Sequence, residues 1–65
     1  MESTINLESL IVEAIKAIEK SNKRIAIILD KEKKLAGTIT DGDIRRCILA
    51  GGSLKTPVKE IMNTN

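Results

Sequence analysis

Sixty-five residues are enough for one small domain, and a domain of this size buries only about 60% of the surface that its unfolded chain exposes. Eleven Lys and Arg against nine Asp and Glu give a net charge of +2, and no aromatic residue is present, which argues against a nucleic-acid partner. The lack of histidine excludes imidazole bases and most transition-metal sites, and the single cysteine, Cys47, indicates a reducing compartment.

The apolar segments are too short to cross a membrane. The longest uninterrupted apolar run, 25–29 (IAIIL), has five residues, whereas a membrane-spanning helix needs about 20. Residues 1–9 (MESTINLES) contain no basic region followed by an apolar stretch, so no signal peptide is expected. We therefore expect a cytoplasmic protein that binds neither membranes nor nucleic acids.

The first half of the chain predicts a short strand, a helix and a second strand. Thr4 and Ile5 favour a very short strand, and Ser9 is the predicted N-cap of the helix, with Asn6 as the alternative. The apolar side chains of this helix recur at i, i+3, i+4 and i+7. They are Ile11, Ala14, Ile15 and Ile18. The apolar residues of 24–30 (RIAIILD) do not alternate, which favours a strand covered on both faces.

Charged residues at 30–34 (DKEKK) predict the tip of a hairpin. A loop of five residues between two strands indicates antiparallel pairing, and 35–40 (LAGTIT) is the second strand of the pair. Gly37 lies inside this strand. It suggests either a bulge or a place where another segment closely approaches the backbone.

A second helix follows the hairpin, with Asp41 as its predicted N-cap. Its apolar stripe consists of Ile44, Cys47 and Ile48. Gly51 and Gly52 are expected to end this helix. Thr56 as an N-cap and Pro57 at the first helical position then predict a third, short helical turn.

The order strand, helix, strand, strand, helix indicates an α+β fold. We expect a small sheet of two or three strands with two helices packed on one of its faces. A chain of this length cannot supply a thick core by itself. We therefore predict that the apolar faces of both helices continue into a partner surface, giving a homodimer.

The segment 40–43 (TDGD) places a hydroxyl, two carboxylates and a glycine at the start of the second helix. Asp41 is best explained as a cap that accepts from the N–H groups of the first turn. Asp43 either complements the helix dipole or offers acceptors for the hydroxyls of a vicinal diol. Gly42 leaves backbone N–H groups exposed at a helix N-terminus, which suits an anion.

Basic side chains near this segment are further candidates. Arg45 and Arg46 diverge by about 100° on a helix, so only one is expected to reach a phosphate, and Arg46 is preferred. Arg24, at the start of a buried strand, is a candidate phosphate or partner contact. Asp41 and Asp43 could instead chelate Mg²⁺. Because the sequence has no third acidic cluster, no Gly-rich phosphate loop and no obvious base, we expect neither an intrinsic metal site nor catalytic residues.

From about Thr4 to Met62 the chain resembles a single cystathionine-β-synthase (CBS) motif, the repeat that pairs into Bateman modules. The resemblance rests on 9–30 (SLIVEAIKAIEKSNKRIAIILD), on 35–52 (LAGTITDGDIRRCILAGG) and on 57–62 (PVKEIM). Within the middle stretch, three residues match the family signature of a glycine, an apolar pair, Ser or Thr, two spaces and Asp. They are Gly37, Thr40 and Asp43. The sequence of residues 37–46 (GTITDGDIRR) is similar to CBS motifs attached to sugar-nucleotide transferases and sugar-phosphate isomerases.

The resemblance implies a β-α-β-β-α fold and a regulatory site for an adenosine compound such as AMP, ADP, ATP or S-adenosylmethionine, which is bound but not turned over. It implies that Thr40 contacts phosphate and that Asp43 accepts from ribose hydroxyls. The base is expected to lie against apolar side chains and main chain at the start of the middle strand, at about 23–26, which includes Arg24, Ile25 and Ala26. No intrinsic cofactor is expected.

A Bateman module needs two CBS motifs, and this chain carries one. We interpret 1–56 as the single motif and 57–65 as a linker or the start of a truncated second motif. The adenosine ligand is then expected in the cleft between two copies. It would control an attached or partner enzyme such as a sugar-phosphate nucleotidyltransferase. The alternative is an association module that binds no ligand.

Overall fold

The computed structural model describes residues 4–64, and the elements follow the predicted order. They are β1 (Thr4–Asn6), α1 (Ile11–Ser21), β2 (Ile25–Leu29), β3 (Leu35–Thr40), α2 (Asp41–Leu49) and a 3-10 turn (Val58–Glu60). Residues 1–3 and 65 belong to the predicted segments 1–56 and 57–65 and lie outside the described residues.

The three strands form one sheet in the order β1-β2-β3. β1 runs parallel to β2, with Thr4 opposite Ile27, and α1 provides the connection between them. β2 and β3 form the predicted antiparallel hairpin, with Ile25 opposite Thr40. The α+β fold with a three-stranded sheet and two helices is therefore confirmed.

The core consists of apolar side chains from both helices, the two longer strands and the C-terminal segment. Its buried members are Ile11, Ala14, Ala26, Ile28, Ile39, Ile44 and Val58. Ile15 and Ile18 are partly buried and pack against this cluster, so the predicted stripe of α1 contributes to the core. Val58 is fully buried, which shows that the segment after α2 packs as part of the same unit.

Burial alternates along β2, although its sequence does not alternate. Ala26 and Ile28 are completely buried, whereas Ile25, Ile27 and Leu29 on the opposite face keep partial exposure. The prediction of a strand covered on both faces therefore holds for one face only, because within residues 4–64 no second layer covers the other face.

The beginning of α1 differs from the prediction, since neither Ser9 nor Asn6 is its N-cap. The N-cap is Leu10, whose N–H donates to the Glu13 carboxylate at 2.9 Å. The side chains of Asn6 and Ser9 serve the preceding turn, where they accept from the N–H groups of Glu8 and Asn6 respectively.

The N–H groups at the start of α1 are instead satisfied by a distant part of the chain. Ile11 donates to the carbonyl of Thr56 at 2.8 Å and Val12 to the carbonyl of Leu54 at 2.9 Å. Because main-chain carbonyls from the C-terminal segment supply these acceptors, a side-chain cap is not needed there.

The end of the chain also differs in detail from the prediction. Gly51, with φ +104°, follows α2 as expected for a helix stop. Pro57 occupies the N-cap position of the 3-10 turn, and so it is not the first helical residue. Thr56 is not the N-cap, because its hydroxyl accepts from the N–H of Ser53 at 3.0 Å and stabilises the preceding loop.

Residues 61–64, here called the C-terminal strap, lie along the outer edge of β3. Thr38 and Asn63 exchange two main-chain hydrogen bonds, of 2.9 and 2.8 Å. A Cβ atom on Gly37 would lie 2.6 Å from the carbonyl oxygen of Asn63 and 3.0 Å from the sulfur of Met62. The register of the hairpin also shifts beside Gly37, so the close approach and the bulge that its presence suggested are both found.

Replacing Gly37 by Ala is expected to lower the free energy of unfolding by about 1–3 kcal/mol, because the new methyl group overlaps a main-chain oxygen of the strap. Gly42→Ala is the matched control. Its Cβ would make only ordinary contacts, the nearest at 3.6 Å, and a helical Gly→Ala change stabilises by about 0.4–1 kcal/mol. Thermal unfolding followed by far-ultraviolet circular dichroism compares the two. Equal midpoints for both variants would contradict the packing of the strap on Gly37.

Candidate functional site

Thr40, the last residue of β3, is the N-cap of α2, which corrects the prediction that Asp41 has this role. The Thr40 hydroxyl accepts from the N–H of Asp43 at 3.1 Å, and the Asp43 carboxylate accepts from the N–H of Thr40 at 2.9 Å. This reciprocal pair is a capping box. Asp41 is already helical and exposed, and its N–H donates to the carbonyl of Arg24 across the hairpin.

The Asp43 carboxylate joins three parts of the structure. Its Oδ2 accepts from the Thr40 N–H and from the side-chain amide of Asn63, each at 2.9 Å. Its Oδ1 accepts from the Arg46 guanidinium one turn further along α2. Only 11% of the Asp43 side chain is exposed, whereas 72% of the Arg46 side chain is. The carboxylate therefore links the end of β3, the first turns of α2 and the C-terminal strap.

This environment favours the ionised form of Asp43. Burial raises the pKa of the carboxyl group, but hydrogen bonds from Thr40, Arg46 and Asn63 outweigh burial and hold the pKa below its ordinary value. Near neutral pH the group is therefore a charged acceptor, suited to ligands that present hydroxyl or amide donors.

The residues predicted to line the base lie directly across the hairpin from Thr40. Ile25 is opposite Thr40, so both side chains belong to the same face of the sheet. Arg24 is exposed and immediately precedes β2. Ala26 is completely buried in the core, so neither its side chain nor its main chain is exposed to a ligand. Arg24 and Ile25 therefore lie beside Thr40, whereas the Ala26 side chain is buried in the core.

The two remaining predicted residues, Gly42 and Arg46, lie on the first turns of α2. Within residues 4–64, the Gly42 N–H has no hydrogen-bond partner outside its own helix. This N–H can therefore donate a hydrogen bond to an anion at the positive end of the helix. Arg46 donates to Asp43 through one nitrogen, and its exposed guanidinium keeps further donors for a phosphate.

Asn63 belongs to this cluster, although no sequence pattern pointed to it. It is separated from Asp43 by 20 residues and is itself exposed. Gly37 indicated that some segment closely approaches β3, but an isolated glycine does not identify that segment.

Other features of the described residues lie away from this cluster. Two surface depressions, of about 400 and 340 Å³, are lined from 4–8 and 29–33, at the hairpin end of the sheet. No group of three or more potential metal-ligating side chains occurs within residues 4–64. In the same part of the chain, no helix has the length and apolarity required to span a bilayer.

The depressed pKa of Asp43 predicts how stability depends on pH. A group whose pKa is lower in the folded state stabilises that state above its unfolded pKa, and this contribution is lost as pH falls through the folded pKa. The thermal midpoint of the wild type should therefore exceed that of Asp43→Asn at neutral pH, and the gap should shrink between about pH 5 and pH 2. Unfolding followed by circular dichroism over this range measures it. A gap that stays constant would show that the ionised carboxylate is not stabilised by these donors.

The sequence of this chain has clear relatives. The family model of the CBS domain matches residues 3–50. Arabinose 5-phosphate isomerase GutQ of Shigella flexneri is 32% identical over 60 residues, which cover 92% of this chain and 19% of the isomerase. The chain therefore spans about a fifth of the length of the curated relatives it matches.

Solved structures share the fold. The CBS domain protein PAE2072 from Pyrobaculum aerophilum, complexed with AMP, superposes with a TM-score of 0.89 at 18% identity, over 97% of this chain and 50% of that one. The CbpB protein of Listeria monocytogenes, in complex with c-di-AMP, gives 0.84 at 25% identity, over 95% and 50%. Because the CBS domain model matches residues 3–50, which are most of this chain, the chain belongs to the CBS domain family.

Proposed function

We propose that this chain is a regulatory module that binds an adenosine nucleotide once two CBS motifs are paired, and that it has no catalytic role of its own. The observation that carries the proposal is the ionised and largely buried Asp43 carboxylate at the start of α2. A carboxylate in this position offers acceptors for ribose hydroxyls, while the helix N-terminus beside it favours a phosphate.

The neighbouring groups supply complementary donors for the phosphate. The Thr40 hydroxyl accepts from Asp43, which leaves its own O–H free to donate. The Gly42 N–H and the exposed guanidinium of Arg46 lie on the same turns of the helix. The base is then expected beside Arg24 and Ile25, the latter on the Thr40 face of the sheet.

The comparisons support an adenosine ligand and a paired arrangement. PAE2072 was solved with AMP and CbpB with c-di-AMP, both of which contain adenosine. This chain corresponds to half of each of those proteins, which supports a module built from two such units. Without aromatic residues the base has only aliphatic and main-chain partners, so we expect a micromolar Kd, equivalent to about −8 kcal/mol.

The controlled enzyme is proposed to be a sugar-phosphate isomerase, attached to this motif or associated with it. The GutQ relatives match over nearly the whole of this chain and are named arabinose 5-phosphate isomerases. They support this class over a sugar-phosphate nucleotidyltransferase. Regulation would follow if the ligand binds two packings of the module with different affinity. We propose a cytoplasmic location for the module together with this enzyme.

A second candidate function is a pure association module. It is favoured by the hydrogen bonds of Asp43, which already give this residue a structural role as part of the capping box. Thr40, Asp43 and Asn63 would then serve only to hold α2 and the strap in place.

Ligand binding separates the two functions. At 100 times its Kd, a ligand of the native state adds about 2.7 kcal/mol, which for a domain of this size corresponds to a shift of about 11–22 °C in the thermal midpoint. We expect AMP to raise the thermal midpoint of the wild type, and Asp43→Ala to abolish the shift relative to its own baseline. Asp41→Ala is the matched control, since it removes an equal charge two residues away and should keep the shift. No shift with AMP, ADP, ATP or S-adenosylmethionine would favour the association module.

Pairing is proposed to involve the helix faces. Ile48 and Leu49 on α2 are large apolar side chains that remain 41% and 79% exposed. Sedimentation at high micromolar concentration should show a dimer. Leu49→Lys should give a folded monomer, because a charge would then be buried at the interface.

Leu35→Lys is the control for this experiment. Leu35 is 67% exposed but belongs to β3, not to a helix, so its replacement should leave the dimer intact. A folded wild-type monomer would contradict the dimer. Dissociation by Leu35→Lys alone would place the interface on the sheet.

A further inference from the structure

The hydrogen-bonding capacity of Asp43 is almost used up within the chain itself. A carboxylate offers about four acceptor positions, two on each oxygen. Thr40 and Asn63 occupy both positions of Oδ2, and Arg46 occupies one position of Oδ1. A single position on Oδ1 is left. A vicinal diol brings two hydroxyl donors, so one of them has no acceptor unless a present donor leaves.

Of the three donors, Asn63 is the one that can be displaced at least cost. The Thr40 N–H is a main-chain group of the capping box, and its loss would expose the start of α2. Arg46 forms a charged pair with Asp43, which is stronger than a bond from a neutral amide. Asn63 is neutral and exposed, and its release opens Oδ2, so that the two hydroxyls can bind to different oxygens.

The strap does not depend on this side-chain bond. Asn63 is also held by two main-chain hydrogen bonds to Thr38, and Gly37 allows its carbonyl group to approach β3 closely. The amide can therefore rotate away from Asp43 while the main chain stays in place. A ligand with one hydroxyl at this point needs no rotation, because Oδ1 already has room for it.

We propose that Asn63 sets the discrimination between ribonucleotides and deoxyribonucleotides at Asp43, by competing with the second ribose hydroxyl for Oδ2. This inference rests on the proposed function, since it requires that an adenosine nucleotide binds with its ribose on Asp43. In the wild type the Asn63 amide weakens the preference for the ribonucleotide. The second ribose hydroxyl gains a hydrogen bond to Oδ2 of Asp43, but this gain is partly offset because the hydrogen bond from Asn63 is lost.

The test compares two ligands on three proteins, the wild type and two variants, by isothermal titration calorimetry. AMP presents both ring hydroxyls, and 2′-deoxy-AMP lacks one of them. Asn63→Ala should bind AMP about tenfold more tightly than the wild type does. This is the gain expected when the ribose hydroxyl can bond to the charged Asp43 carboxylate without displacing the Asn63 amide. Its affinity for 2′-deoxy-AMP should be unchanged. Thr64→Ala, which alters the strap one residue further on and leaves the amide intact, should behave like the wild type with both ligands.

Each outcome decides a different point. An equal change for both ligands in Asn63→Ala would mean that the residue acts only through the position of the strap, and would overturn the inference. No change for either ligand would also overturn it, while leaving nucleotide binding established. If neither ligand binds to any of these proteins, the inference is overturned for AMP, whereas the proposed function fails only if ADP, ATP and S-adenosylmethionine also leave the thermal midpoint unchanged.

Discussion

The capping box between Thr40 and Asp43 is the interaction on which the site and much of the fold depend. It fixes the point where β3 ends and α2 begins, and it holds the Asp43 carboxylate in a position that is only 11% exposed. From there the carboxylate accepts from Arg46 on its own helix and from Asn63 on the strap. A charged acceptor with three donors stabilises each of the segments that provide them, and it stays ionised because all three favour the charged form.

The three residues that match the CBS signature act together in this structure. Gly37 leaves room for the strap, Thr40 caps α2, and Asp43 connects the two. These structural roles do not exclude ligand binding, but they set its cost, because a nucleotide must share or replace donors that Asp43 already has. The affinity and selectivity of the module are therefore expected to depend on how tightly the chain binds its own carboxylate, as well as on the contacts that the ligand adds.

The parts of the structure that depend on local spacing could be predicted from the sequence. The stripe that begins at Ile11 lies in the core, and Gly37 marks a close approach. The sequence places the N-cap of α2 one residue too late, because β3 runs directly into the helix and Thr40 both ends the strand and caps the helix. The N-cap of α1 could not be predicted, because Leu54 and Thr56 supply main-chain acceptors from more than 40 residues away. Main-chain carbonyls carry no residue-type signal. The role of Asn63 could not be predicted either, because its side-chain amide meets a carboxylate 20 residues away and no local spacing relates the two.

One carboxylate is proposed both to organise the start of α2 and to bind the ligand. The decisive experiment is a titration of the ¹⁵N-labelled chain with AMP, followed by two-dimensional ¹H–¹⁵N NMR spectra. We expect the backbone signals of Thr40 and Asp43 and the side-chain amide signals of Asn63 to shift together, while those of the hairpin loop 31–34 do not. Shifts confined to the hairpin end of the sheet, or signals at 40–43 that stay unchanged while AMP binds, would contradict it.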